Sequence, residues 1–348
     1  MRHPFAPFCG TARNDDASIP TRTGGRVTTA VLAESLSRDF GSVRALDALS
    51  LAIPRGTVFG FLGPNGAGKT TTIRLLLGLI EPTAGRCETL GLDPQRDGGA
   101  VRRRAGALLE HDALYERLSA IDNLEFAGRI WGLDRATRNA RAQELLERFG
   151  LWDRRNDPAG TWSRGMKRKL AVARTVLHRP ELVFLDEPTA GLDPVATAAL
   201  RDDLGALSRD AGVTIFLTTH NLDEAERLCD LIGVVRQGRL VALGSPDELR
   251  DRAGGWSVDV VATGLGDAVG MLELRPEVDS VRSTSSGLTI ALKAGESSTA
   301  GIVSALVEGG ARIEEVRKSK PTLEAVFLGL MSGAETPRHP GVLDGQGS

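Results

Sequence analysis

The amino-acid sequence predicts an α/β core with a largely parallel sheet, followed by a smaller α+β unit. Three observations predict it. Short apolar runs at Thr57–Leu62, Leu182–Leu185 and Val213–Thr218 alternate with helical stretches, the pattern of a sheet covered by crossover helices. A glycine-rich turn, Gly63-Pro64-Asn65-Gly66-Ala67-Gly68-Lys69-Thr70-Thr71, joins the first run directly to a helical stretch. Beyond Ala253-Gly254-Gly255 the pattern changes to short strands and turns. A chain of 348 residues is long enough for one large domain and a smaller companion.

Residues 1–26 mix Pro, Gly, Asp and Thr without apolar periodicity and read as a flexible extension. Strand-like segments from Val27 lead to Leu51-Ala52-Ile53 and a turn at Pro54-Arg55-Gly56, then to the strand Thr57–Leu62 and a helix reaching about Leu79. Ser119 with Asp122 three residues on forms an N-terminal capping pattern for a helix to about Trp131. A second helix, Arg135 to Phe149, stops at Gly150, and a third runs from about Gly165 to His178. In the last third, Val258–Val261, Val278–Arg282 and Leu288–Leu292 read as strands, with Ser283-Thr284-Ser285-Ser286-Gly287 as a turn. Helices near Thr299–Glu308 and Leu323–Met331 complete that unit, and residues 333–348 read as a flexible tail.

Composition narrows the function. Forty-three basic residues against 45 acidic ones give a net charge of −2, which argues against a nucleic-acid partner. The longest apolar stretches, such as Leu75–Ile80, fall far short of the roughly 20 residues needed to cross a bilayer, and the first thirty residues lack a signal-peptide core. Cys9, Cys87 and Cys229 are dispersed and odd in number, which fits a reducing compartment. A cytoplasmic chain is expected, with any membrane role carried through a partner.

Gly63-x4-Gly68-Lys69-Thr70 sits between a predicted strand and a predicted helix, the context of a phosphate-binding loop. Glycines let backbone N–H groups converge on phosphate oxygens, and the helix N-terminus adds free donors and partial positive charge. Lys69 supplies a compact charge, and the Thr70 hydroxyl can ligate Mg²⁺. Lysine is informative here, because only six of the 43 basic residues are lysine. Asp186, ending an apolar strand, is expected beside this loop as a second Mg²⁺-holding group, and Glu187 as the acceptor of a proton from attacking water. Ser163 and Gly165 open a basic helix, which makes either an ordinary cap or a second anion cradle. One nucleotide needs one cradle, so the second reading implies a phosphate bound by another copy of the domain.

Taken in order, Gly63–Thr71, Ser163–Met166, Leu182–Glu187, Ala190-Gly191-Leu192-Asp193 and Thr219-His220 resemble the ATP-binding subunit of an ABC transporter over about residues 27–250. The resemblance implies a P-loop NTPase core of ABC type over residues 27–254. It would carry a helical subdomain at about 111–165 and an antiparallel β subdomain, with a small C-terminal α+β domain at 255–332. It also implies that two such subunits, expected to be a homodimer, face head to tail around two ATP molecules. Ser163 and Gly165 would then close the partner's site, Asp193 would lie in the loop crossing the interface, and His220 would touch the γ-phosphate. Phe40 falls where the family stacks an aromatic on adenine, and a core or edge aromatic is the other reading. The family's Mg²⁺-contacting glutamine aligns with Glu110, whose carboxylate remains a hard oxygen ligand. Arg164 and Met166 also depart from the usual signature, while Ser163 and Gly165 are retained.

A single P-loop, about ninety residues between Thr71 and Ser163, and no membrane helices set this sequence apart from tandem translation-associated members, coiled-coil chromosome proteins and fused exporters. The expectation is a separate ATPase subunit that drives a multi-span permease at the inner face of the membrane. The segment Ser319-Lys320-Pro321-Thr322-Leu323-Glu324-Ala325-Val326-Phe327-Leu328 resembles that of the multidrug and antibiotic self-resistance (daunorubicin-resistance) exporters. A regulatory ATPase without a permease is the alternative. Leu114, Tyr115 and Leu118 either form a groove for a short permease helix or pack the helical subdomain.

Overall fold

A computed structural model describes residues 29–109, 112–253, 256–293, 296, 298–320 and 322–332. They fall into two compact units that part between Ser245 and Pro246. The expected extension 1–26, the tail 333–348 and Glu110 lie outside the described residues.

In the first unit, β1 (Thr29–Phe40), β2 (Val43–Pro54) and β3 (Val58–Leu62) precede α1 (Lys69–Leu76). Next come β4 (Ala84–Thr89), α2 (Pro94–Arg104) and β5 (Ala105–Leu108). The helices α3 (Ala120–Ile130), α4 (Arg135–Arg148) and α5 (Arg164–Thr175) follow. The unit continues with β6 (Leu182–Asp186), α6 (Pro194–Ala211), β7 (Thr214–Thr219) and α7 (Leu222–Leu228), and ends with β8 (Leu231–Arg236) and β9 (Arg239–Gly244). β1, β2 and β4 form a small antiparallel sheet in the order β2-β1-β4, the antiparallel subdomain that the family resemblance implies.

The main sheet runs β5-β6-β7-β3-β8-β9, with parallel pairing from β5 through β8 and antiparallel β9 at one edge. Every residue of β3, β6 and β7 is buried, as expected of strands covered on both faces, which is why they read as continuous apolar runs. Phe216 anchors this centre, with ring centroids 5.0, 5.6 and 5.4 Å from those of Phe59, Phe61 and Phe184. These tilted and edge-on contacts suit aromatic quadrupoles. Because the strands are parallel and in register, Leu62 pairing with Thr219 and Asp186 with Thr218, three functional loops leave the sheet at one carboxyl edge.

The second unit contains α8 (Pro246–Ala253), β10 (Ser257–Thr263), α9 (Ala268–Glu273), β11 (Val278–Thr284), β12 (Gly287–Leu292), α10 (Ala300–Glu308), β13 (Arg312–Ser319) and α11 (Leu323–Ser332). Its antiparallel sheet has the order β11-β12-β10-β13, a βαββαβ arrangement. Val258, Val260, Leu288 and Ile290 pack with Leu272, Ile302 and Leu306 to form a separate core. Residues 246–253, expected with the first domain, instead form α8, which packs on α11 within the second unit. β13 is not among the expected strands: its Arg312-Ile313-Glu314-Glu315-Val316-Arg317 segment has little apolar character and takes strand form by pairing with β10.

Candidate functional site

The phosphate-loop geometry begins with two constraints on glycine. Gly68 has φ +103°, and a Cβ there would stand 2.6 Å from both Ala45 O and Leu46 Cδ2. Gly63 is equally confined, since its Cβ would come 2.4 Å from Val235 O. The segment between them exposes Pro64, Asn65 and Gly66, while Ala67 and Gly68 are buried at the start of α1. Lys69 is 7% exposed, and its ammonium donates to Gly63 O at 2.7 Å and Pro64 O at 3.3 Å. Its charge is thereby held under the loop rather than swinging freely in solvent. Thr71 is half-buried on the same first turn.

Asp186 ends β6, and its carboxylate reaches the loop although β6 is not the strand next to β3. One strand, β7, intervenes and contributes Thr218. Thr70 Oγ1 donates to Asp186 Oδ2 at 2.7 Å, and Thr218 Oγ1 donates to Asp186 Oδ1 at 2.5 Å. Both carboxylate oxygens of this buried group are therefore engaged.

Glu187 follows with φ +51°, a left-handed conformation unusual for a residue bearing Cβ. It is held there because its N–H donates to both Thr218 Oγ1, at 3.0 Å, and Thr218 O, at 3.1 Å. Its Oε1 lies 3.4 Å from Lys69 Nζ and its Oε2 2.5 Å from His220 Nδ1. His220 leaves the end of β7 with an exposed ring. A half-buried carboxylate held against an exposed imidazole can accept a proton from water arriving at the open side. Thr218 belongs to none of the sequence motifs. Its only sequence signal is its place beside the Thr219-His220 pair.

A second group gathers elsewhere. Ser163 caps α5, accepting from Met166 N–H at 3.3 Å, and Asp193 caps α6, accepting from Ala196 N–H at 2.8 Å. A Cβ on Gly165 would approach Ala196 Cβ to 2.8 Å, so the two helix starts meet at a position only glycine fits comfortably. A recess of about 250 Å³ lies here, lined by Ser163, Gly165, Met166, Asp193 and Val195 among others. The Arg164 guanidinium lies over Gly191, where a Cβ would be 2.3 Å from Nη1. Among the described residues, no hydrogen bond or ion pair joins Ser163, Gly165 or Asp193 to Lys69, Thr70, Asp186, Glu187 or His220.

Phe40 ends β1 and is 45% exposed, so it is not a core aromatic, and the Arg38 guanidinium carbon lies 4.6 Å from its ring centroid. Glu110 lies outside the described residues. No helix among the described residues is long and apolar enough to cross a membrane.

Comparison with known proteins meets the same geometry. The ABC transporter family profile matches residues 46–190, and a profile for the C-terminal domain of ATP-binding proteins like DrrA1-3 matches residues 244–331. The daunorubicin resistance ATP-binding protein DrrA3 of Streptomyces coeruleorubidus is 44% identical over 307 residues, covering 87% of this chain and 96% of that protein. The chain belongs to the ABC transporter family. It is an ATP-binding subunit of this family and an ATPase that powers a separate permease, on the drug-resistance branch. The bacitracin transport ATP-binding protein BcrA of Bacillus licheniformis is 33% identical, covering 88% of this chain and 99% of that one. Among solved structures, an ATP-binding subunit of an ABC transporter superposes with a TM-score of 0.58 at 33% identity, over 64% of this chain and 92% of its own. CbiO1 of Clostridium perfringens, part of the transporter complex CbiONQ, gives 0.60 at 27% identity over 64% and 90%. ABC-type cassettes therefore account for the first unit, and the family's C-terminal domain accounts for the second.

Proposed function

We propose that this ABC subunit hydrolyses Mg²⁺-bound ATP at a site shared by two copies of the chain, and that the cycle drives export of antibiotics or related drugs. The observation that carries this reading is the convergence of Lys69, Thr70, Asp186, Glu187 and His220 at one sheet edge. In it Lys69 and the backbone of Gly63, Pro64, Asn65, Gly66, Ala67 and Gly68 hold the phosphates, with Thr71 at the first helical turn. Phe40 offers an exposed ring for adenine.

The donor set fits magnesium. Thr70 Oγ1 and an Asp186 oxygen are hard ligands only 2.7 Å apart, close enough for adjacent positions on one small octahedral ion. Bound there, the ion would neutralise phosphate charge, with Glu110 as a further oxygen ligand. Glu187 takes the proton from water while His220 orients that water. Ser163, Gly165 and Asp193 belong to the face that closes over the partner's nucleotide, which agrees with the lack, among the described residues, of any hydrogen bond or ion pair from them to the chain's own phosphate-site residues.

Export is favoured by the relatives over both units, one named for daunorubicin resistance and another for bacitracin transport. Tyr115, Leu118, Phe126 and Ile130 are exposed, and the Tyr115 and Phe126 rings meet edge-on at 4.9 Å. They form the surface for a permease helix, placing the subunit at the cytoplasmic face of the membrane. The test is drug accumulation in inverted vesicles that contain this chain and its permease. ATP-driven uptake abolished by Lys69→Ala supports the reading, and uptake unchanged by that substitution refutes it.

A further inference from the structure

Glu224 is a buried carboxyl that no role above uses. It lies in the first turn of α7 and is 2% exposed. One oxygen, Oε2, accepts from Thr189 Oγ1 at 2.6 Å and from Thr219 Oγ1 at 3.1 Å. The other, Oε1, is buried with no hydrogen-bond partner among the described residues. Burial, with the Glu187 charge adding to it, raises this carboxyl above the usual range, against the two threonine hydroxyls and a weaker effect of Arg201.

Such an arrangement costs stability, because a buried acid with one unsatisfied oxygen is worse placed than an apolar side chain of the same size. What it gains is a link between two loops. Thr189 is two residues after Glu187, and its carbonyl closes the next turn by accepting from Leu192 N–H. Thr219 immediately precedes His220 and also accepts from Asn221 N–H at 2.9 Å. The Glu224 backbone is itself fixed, because its N–H donates to Asn221 Oδ1. The single oxygen atom Oε2 thus joins the segment carrying Glu187 to the segment carrying His220, in addition to their own 2.5 Å contact.

We propose that Glu224 is a positioning residue for ATP hydrolysis, tying the Glu187 and His220 loops together so that their side chains meet. The proposal rests on the assignment of Glu187 and His220 to the hydrolytic step. It requires only an acceptor oxygen at the Oε2 position, since both hydrogen bonds end there.

The test measures steady-state ATP hydrolysis, ATP affinity and thermal unfolding of the full-length chain with its permease. Glu224→Ala is expected to lower kcat at least tenfold with KM for ATP and ATP affinity within about twofold. Glu224→Gln keeps the acceptor oxygen and is expected to restore kcat to within threefold of the parent. Thr189→Val, which removes one of the two hydroxyls, serves if Glu224→Ala does not fold, and should lower kcat in the same direction without weakening ATP binding. Unchanged kcat in a folded Glu224→Ala or Thr189→Val protein overturns the proposal. So does a parallel loss of ATP affinity and kcat that glutamine fails to rescue. Glu187→Gln is run alongside. If it hydrolyses ATP normally, the assignment beneath the proposal has failed; if it is inactive while Glu224→Ala is normal, only the Glu224 proposal has failed.

Discussion

Glu187 and His220 meet at 2.5 Å, Oε2 against Nδ1, although 33 residues of chain separate them. An ionised carboxylate can only accept, so this contact places the imidazole proton on Nδ1 and leaves Nε2 as the free nitrogen of an exposed ring. On its other oxygen the same carboxylate faces the Lys69 ammonium at 3.4 Å. Charge neutralisation and proton acceptance therefore meet at one residue.

Replacing Glu187 by glutamine keeps the shape of this contact and removes the base. Turnover is expected to fall by about 10²–10⁴-fold, the usual contribution of a positioned base, with ATP binding retained and an ATP-bound dimer accumulating. Single-turnover hydrolysis and size-exclusion chromatography in ATP with Mg²⁺ read both effects. Near-normal turnover would remove Glu187 from its assigned role.

Thr218 donates to Asp186 and accepts the N–H of Glu187, so it holds two functional residues from an adjacent strand. Thr218→Val leaves a buried carboxylate oxygen and a buried N–H each short of a partner. The expected loss is roughly 1–3 kcal/mol for each unsatisfied group, offset in part by the remaining bond from Glu187 N–H to Thr218 O. Chemical denaturation measures that loss, and a Mg²⁺ titration of activity should shift to higher concentration.

Gly68→Ala tests the loop itself. A left-handed backbone costs an L-residue about 1–2 kcal/mol, and here the new Cβ would also press on Ala45 O and Leu46 Cδ2 at 2.6 Å. Reduced thermal stability together with lost ATP binding is the expected result. Alanine tolerated without change in either would show that the loop does not need this conformation.

The two buried thiols make a pH-dependent prediction. Burial pushes Cys87 up to about 12 and raises Cys229 further, so neither is a thiolate at neutral pH. In a Cys9→Ser background, Ellman's reagent at pH 8 should leave both untouched in the folded protein and label both once it unfolds. Because the folded state favours the protonated thiol, this contribution to stability is complete below the ordinary thiol value of 9.0 and is lost as pH rises from there toward 12. Denaturation midpoints at pH 8 and pH 10.5, compared with those of a Cys87→Ala variant, measure the slope.

Much of the site is legible in residue order because its chemistry is local. The left-handed Gly68, the Lys69 and Thr70 that follow it, the apolar strand ending in Asp186 and the caps at Ser119 and Ser163 each express a short-range requirement of backbone or helix terminus. Helix α6 could have been read in the same way, since Asp193 caps it, Pro194 opens it and Gly212 ends it.

Other features depend on contacts between distant segments. β13 is a charged sequence that becomes a strand because β10 offers it a hydrogen-bonding edge. Asp186 reaches Thr70 across an intervening strand, with Thr218 supplied by that strand, and Glu224 spans loops that local periodicity cannot relate. By itself the sequence determined which residues could grip a phosphate, because torsional preference and helix-end polarity act over a few neighbours. Only the tertiary structure decided which buried oxygens find partners, because strand order is set by packing the whole core, and no short window contains it.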